Sequence, residues 1–141
     1  MIMVDTWGFK AYIDRKEKKH LAVKKLMEKI WKQNDNVITT DYIIDETITL
    51  LSYRLDYDKV KEFIEKLNLA IERNFIHLIW VNKDIFEDAV QMKLKYKDKL
   101  DISFTDLTTI SIMKSFKINN IITEDKHFQD IGLGLNALFC K

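Results

Sequence analysis

Short apolar runs alternate with long amphipathic stretches along this chain, and that alternation restricts its fold more than any other feature. Ile2-Met3-Val4, Val37-Ile38-Thr39, Ile76-His77-Leu78-Ile79-Trp80 and Ile121-Ile122-Thr123 have the length and side-chain type of buried strands. The segment from about Trp7 to Lys32 reads as helix, broken near Asp14 to His20, with Leu21, Leu26 and Ile30 among its apolar positions. Thr40 or Asp41 can cap a helix through Ile44, Ile48 and Leu51 toward Arg54. Asp58 is expected to open another, through Val60, Phe63, Ile64 and Leu67. Further helices are expected from about Lys83 to Tyr96, and from Ser103–Thr105 through Leu107, Ile110, Met113 and Phe116. Strands separated by helices predict an α/β fold of three α/β/α layers, with a central, mainly parallel sheet. A last short strand is expected after Gly134.

Composition agrees with a folded chain. Its 141 residues are 47% hydrophobic and 32% charged, enough apolar material for one core and too much for a disordered segment. There is no proline, and the only glycines are Gly8, Gly132 and Gly134. With no linker and no repeat, residues 1–141 read as one domain. The net charge of +1 leaves any attraction for a polyanion to local patches. The lone Cys140 excludes an internal disulfide and a cysteine-built zinc site, and reads as a small apolar residue. Neither a membrane span nor a signal peptide is legible, which predicts a cytoplasmic protein with no membrane partner.

Chemistry in a parallel sheet gathers at the carboxyl ends of its strands. Asp5 directly follows the first strand, and Asp125 lies two residues beyond Thr123 at the end of the fourth. Each has a competing role as a helix cap. Glu46 falls with Ile43 and Leu50 at helical spacing, which places a carboxylate in an apolar stripe unless it reaches solvent at the edge. Asp106 lies on a face with Ile110 and Met113, and Ser103-Phe104-Thr105-Asp106 also fits a capping box. Carboxylates without clustered histidine or cysteine favour a hard divalent cation, Mg²⁺ or Mn²⁺. Such a cation relieves their mutual repulsion and suits phosphodiester hydrolysis.

The segments carrying these acids resemble a known family. Val4-Asp5-Thr6, Thr39 to Thr47, Leu100 to Asp106 and Ile122 to Phe128 are similar, in order and approximate spacing, to the motifs of the PIN-domain family, most of all its VapC-type toxins. The resemblance runs from Met1 to about Gly132. It implies a PIN-like fold and a Mg²⁺- or Mn²⁺-dependent endoribonuclease site in which Asp5, Glu46, Asp106 and Asp125 are both metal ligands and catalytic residues. It further implies an RNA substrate such as tRNA or rRNA, a cognate antitoxin and a homodimer. Two positions depart from the family pattern. Trp7 stands where the family often has a small polar residue, so either a hydrogen bond that would steady the first carboxylate is missing or the ring is there to stack on a base. Glu124 beside Asp125 is expected to face solvent, with a metal-directed oxygen as the alternative. Thr123 fits the hydroxyl residue that precedes the fourth acid.

Other candidates compete with plainer roles. Lys10, Arg15, Lys16, Lys18 and Lys19 form a basic cluster that is expected to be a solvated helical face before an RNA contact. Tyr53, Arg54, Tyr57 and Lys59 are lesser candidates for partner contact, and Phe63, Phe86, Phe104 and Phe116 are expected in the core. His127 reads as a surface turn near Asp125, with a phosphate contact as the alternative, and His77 as a packed strand residue. The leading alternative function is a non-catalytic PIN-like module that binds RNA or protein. A dehalogenase-type phosphoryl-transfer domain would want a second aspartate at position 7, which is tryptophan. A receiver domain would want paired acids near the end of the first strand and a central phospho-accepting aspartate at a strand end, and neither is apparent.

Overall fold

The computed structural model describes residues 1–140. Its strands are β1 (Ile2–Val4), β2 (Val37–Thr40), β3 (Ile76–Ile79), β4 (Asn120–Ile122) and β5 (Asn136–Ala137). Its helices are α1 (Thr6–Ile13), α2 (His20–Lys32), α3 (Asp41–Arg54), α4 (Tyr57–Glu72), α5 (Lys83–Lys95), α6 (Phe104–Phe116) and the short α7 (His127–Asp130). The strands form one sheet in the order β3-β2-β1-β4-β5, with every pairing parallel. Flanking helices complete the three-layer α/β/α arrangement expected from the alternation. No described helix is long and apolar enough to cross a membrane.

One capping device sets the start of most of these helices. Asp5, Thr40, Asp56, Asn82 and Ser103 each accept, on a side-chain oxygen, the backbone N–H three residues on. That satisfies one of the donors a helix start leaves without a partner. The α4 cap is therefore Asp56, with Asp58 inside the first turn, two residues later than the cap itself. The stretch after Ile13 breaks as expected, and α2 resumes at His20.

The central strands are the driest part of the molecule: every residue of β1 and β2 is buried. They pack with Ile121, Ile122, Ile110, Ile112 and Met113 into one apolar core. The edge strand β3 buries fully only Ile76, ends at Ile79, and leaves Trp80 67% exposed. His77 is half-buried in that edge strand. Phe63 is in the core as expected, but Phe86 and Phe116 are 43% and 47% exposed. Phe86 sits beside the buried stripe of Ile85, Ala89 and Met92, and its ring meets half-buried Phe104 edge-on at 5.0 Å. Phe116 is the last residue of its helix, past the buried run that ends at Met113.

Strand order fixes where a site can open. From β1 the chain moves to β2 and β3 on one side, then returns to place β4 on the other side of β1. The crossovers therefore diverge between β1 and β4, leaving a crevice at their carboxyl ends. Asp5 follows β1 and Thr123 follows β4.

Candidate metal centre

Asp5 is both a cap and part of an acidic cluster. Its side chain accepts the Gly8 N–H at 2.9 Å while remaining 8% exposed at the crevice. Gly8 makes this possible, because a Cβ there would lie 2.8 Å from the Ile122 carbonyl oxygen and 2.8 Å from a Val4 methyl carbon. The first turn of α1 thus rests directly on the ends of β1 and β4. Burial pushes the Asp5 pKa from 3.8 up to about 7, against the pull of the Thr123 hydroxyl and the Gly8 N–H and with the help of the negative Asp106 and Asp125.

Asp106 is held by the start of α6, where its N–H donates to the Ser103 hydroxyl at 3.0 Å. The expected cap at Ser103 is present, and the carboxylate remains available to the crevice. Burial raises its pKa from 3.8 to about 6, with repulsion from Asp125 and then Glu46 adding to it. Asp125 is fixed from both sides: its N–H donates to the Thr123 hydroxyl at 3.0 Å, and its Oδ1 accepts the His127 N–H at 2.9 Å. Thr123 is completely buried, so it links Asp5 and Asp125 from beneath.

Glu46 differs from its expected setting. It is exposed, while Ile43, Thr47 and Leu51 form the buried stripe of α3. At 3.6 residues per turn, Glu46 stands roughly 60° from Ile43 on the side away from Thr47, so its carboxylate leaves the stripe at the edge. It still reaches far enough into the cluster to repel Asp106. Glu124 is exposed, as expected. Trp7 packs its ring on Phe139 at 5.6 Å and buries its indole nitrogen without a hydrogen-bond partner, so the ring is not a free platform for a base.

The reading of His127 as a surface turn misses its surroundings. It opens α7, with Nε2 2.9 Å from Asp101 Oδ2 and Nδ1 3.0 Å from Asp125 Oδ1. The Nδ1 contact lacks hydrogen-bond geometry, and that nitrogen is buried with no partner. Partial burial lowers the His127 pKa, but Asp125, Asp101 and Asp106 outweigh it and raise the group above its ordinary value. Asp101 carries no signal in the sequence, because it lies in a loop 26 residues from its partner. Lys93 pins that loop by donating to the carbonyls of Leu100 at 2.9 Å and Ile102 at 2.7 Å.

Asp106, Asp125 and His127 offer ligand atoms within 4.8 Å of one another. Asp5 and Glu46 border this trio through the repulsions they exert on, or receive from, Asp106. Raised carboxyl pKa values and an orphaned buried nitrogen are what a divalent cation would relieve, so the residues fit one. A groove of about 670 Å³ lies elsewhere, between α1, α2 and α4, and contains none of the four acids. Arg15 and Lys16 of the basic cluster line it, Lys18 and Lys19 are exposed, and Lys10 pairs with Glu17 at 3.2 Å.

The family model of the PIN domain matches residues 2–133. Among solved structures, the chain is similar to VapC20 of Mycobacterium tuberculosis, a sarcin-ricin loop cleaving toxin. The TM-score is 0.77 and identity 23%, covering 94% of this chain and 95% of that one. VapBC2 from Rickettsia felis, bound to a DNA fragment from their promoter, matches with TM-score 0.70 and 18% identity over 97% of each chain. FitAcB from Neisseria gonorrhoeae matches with TM-score 0.63 and 15% identity over 89% of this chain and 88% of that one. At these identities the likeness is one of fold. No curated protein matches the sequence.

Proposed function

The chain belongs to the PIN-domain family, and from that premise we propose that it is a divalent-metal-dependent endoribonuclease, the toxin of a toxin–antitoxin pair. The observation that carries this reading is the convergence of Asp106 and Asp125 with buried Asp5 at the crevice between β1 and β4. Asp5, Glu46, Asp106 and Asp125 are the residues that would hold Mg²⁺ or Mn²⁺. When bound, such a cation activates water for attack on a phosphodiester and neutralises charge that develops on the phosphate.

The chain's own groups prepare that chemistry. The Ser103 hydroxyl and the Thr123 hydroxyl fix the backbone beneath Asp106 and Asp125. The Gly8 N–H orients Asp5, whose carboxyl holds a proton up to about pH 7 when no cation is present. Exposed Glu46 adds a fourth carboxylate from α3, near enough to Asp106 to repel it. The net charge of +1 gives RNA no strong general attraction, so recognition rests on local contacts.

The similarity to a sarcin-ricin loop cleaving toxin and to VapBC2 supports a structured RNA target, such as tRNA or rRNA, and a cognate antitoxin. A homodimer acting in the cytoplasm, built from one domain spanning residues 1–141, completes the proposal. The test is cleavage of a structured RNA pool by purified protein with Mg²⁺ or Mn²⁺. Asp5→Asn and Asp106→Asn should each lower the rate at least about a hundredfold, the scale of losing one transition-state charge stabiliser. Wild-type rates in both variants would contradict the assignment.

A further inference from the structure

His127 stands inside the acidic cluster, yet no feature of a four-carboxylate site requires it. Its two ring nitrogens have different surroundings. Nε2 meets the Asp101 carboxylate at 2.9 Å, a separation suited to an N–H donating to that oxygen. With the ring hydrogen on Nε2, the lone pair of Nδ1 points away from Asp101. Nδ1 is buried, has no hydrogen-bond partner, and lies with oxygens of Asp106 and Asp125 in one group of atoms within 4.8 Å.

We propose that His127 Nδ1 is a nitrogen ligand to the divalent cation of this site, with Asp101 as the group that orients the ring and sets its tautomer. This rests on the metal-centre reading above and adds to its all-oxygen ligand set. Neighbouring ligands of an octahedral ion at about 2.1 Å stand roughly 3 Å apart. The separation between Nδ1 and Asp125 Oδ1 is 3.0 Å. A carboxylate behind the distal nitrogen of a ligating imidazole fixes its orientation and raises its basicity. The loop supplying that carboxylate is itself fastened by Lys93 to the carbonyls of Leu100 and Ile102. An imidazole among carboxylates shifts preference away from Mg²⁺ and toward transition metals, so Mn²⁺ is the better occupant.

The experiment uses the full chain loaded with substoichiometric Mn²⁺ and read by electron spin-echo spectroscopy, which detects nitrogen bound to the ion without any assay of activity. The expected result is nitrogen modulation in the wild type that persists in His20→Asn and His77→Asn and disappears in His127→Asn. By calorimetry, Asp101→Ala should weaken Mn²⁺ about tenfold, the scale of losing a group behind a metal-bound histidine, and Mg²⁺ much less. Circular dichroism of each variant checks the fold, and the wild-type spectrum alone decides if a variant unfolds. Wild-type protein that binds Mn²⁺ through Asp106, as shown by weaker binding in Asp106→Asn, but gives no nitrogen modulation overturns the role of His127 and leaves the four-acid site standing. Mn²⁺ binding that is absent, or unchanged by Asp5→Asn and Asp106→Asn, overturns both.

Discussion

Asp5 carries opposed demands in one side chain. The proposed ligand role requires it to be charged, yet it is buried beside two other carboxylates, and its pKa rises from 3.8 to about 7. In the absence of metal, the folded carboxyl keeps a proton that the unfolded chain has already released above pH 3.8. The folded state then binds more protons than the unfolded state, so stability falls as pH rises from about 4 through about 7. Asp106 adds the same slope up to about pH 6. Asp5→Asn removes the charge while keeping an oxygen for the Gly8 N–H. Thermal unfolding in chelator should therefore show the variant melting above wild type at pH 8, with a flatter pH profile between pH 5 and 8. A variant that melts below wild type at pH 8 would show that burial of this charge is not the cost assigned to it.

At the scale of elements, the site depends on how two helices begin. Gly8→Ala forces a methyl group against the Ile122 carbonyl oxygen and a Val4 methyl carbon, both at 2.8 Å, and should destabilise the fold by about 1–3 kcal/mol in urea unfolding. An unchanged midpoint would mean that α1 can lift from the sheet. Ser103→Ala removes the acceptor for the Asp106 N–H and should cost about 1 kcal/mol, the usual loss for a helix cap. Because the same cap aims Asp106, weaker metal binding should accompany that loss in calorimetry.

These elements were largely legible, because apolar runs and capping residues are local signals. The break after Ile13, the caps at Thr40 and Ser103, and the strand after Gly134 all follow from them. Periodicity failed where the width of a face mattered. Glu46 and Phe86 share helical spacing with buried residues but stand at the edge of the stripe, which spacing alone does not resolve. Asp101 was illegible for a different reason: its contact with His127 is made by tertiary folding and leaves no local pattern. The role of Gly8 is likewise invisible in the sequence, since a close approach of helix and strand leaves no local pattern.

For the whole molecule, the proposed metal binding would be coupled to folding. The acids reach a common crevice only because the sheet order places β4 beside β1, on the side away from β2. A cation that binds the folded chain alone stabilises it by about 2.7 kcal/mol at a hundred times its dissociation constant. Added Mn²⁺ should thus raise the melting temperature of the wild type at pH 8 and leave that of Asp106→Asn nearly unchanged; equal shifts would place the ion elsewhere. The most direct measurement is the rate of RNA cleavage by one wild-type preparation, first stripped with chelator and then resupplied with Mn²⁺, beside Asp106→Asn purified in the same way. The predicted result is no cleavage in chelator, recovery with Mn²⁺, and none from the variant under either condition. Cleavage that persists in chelator, or that the variant shares, would contradict a nuclease built on these carboxylates.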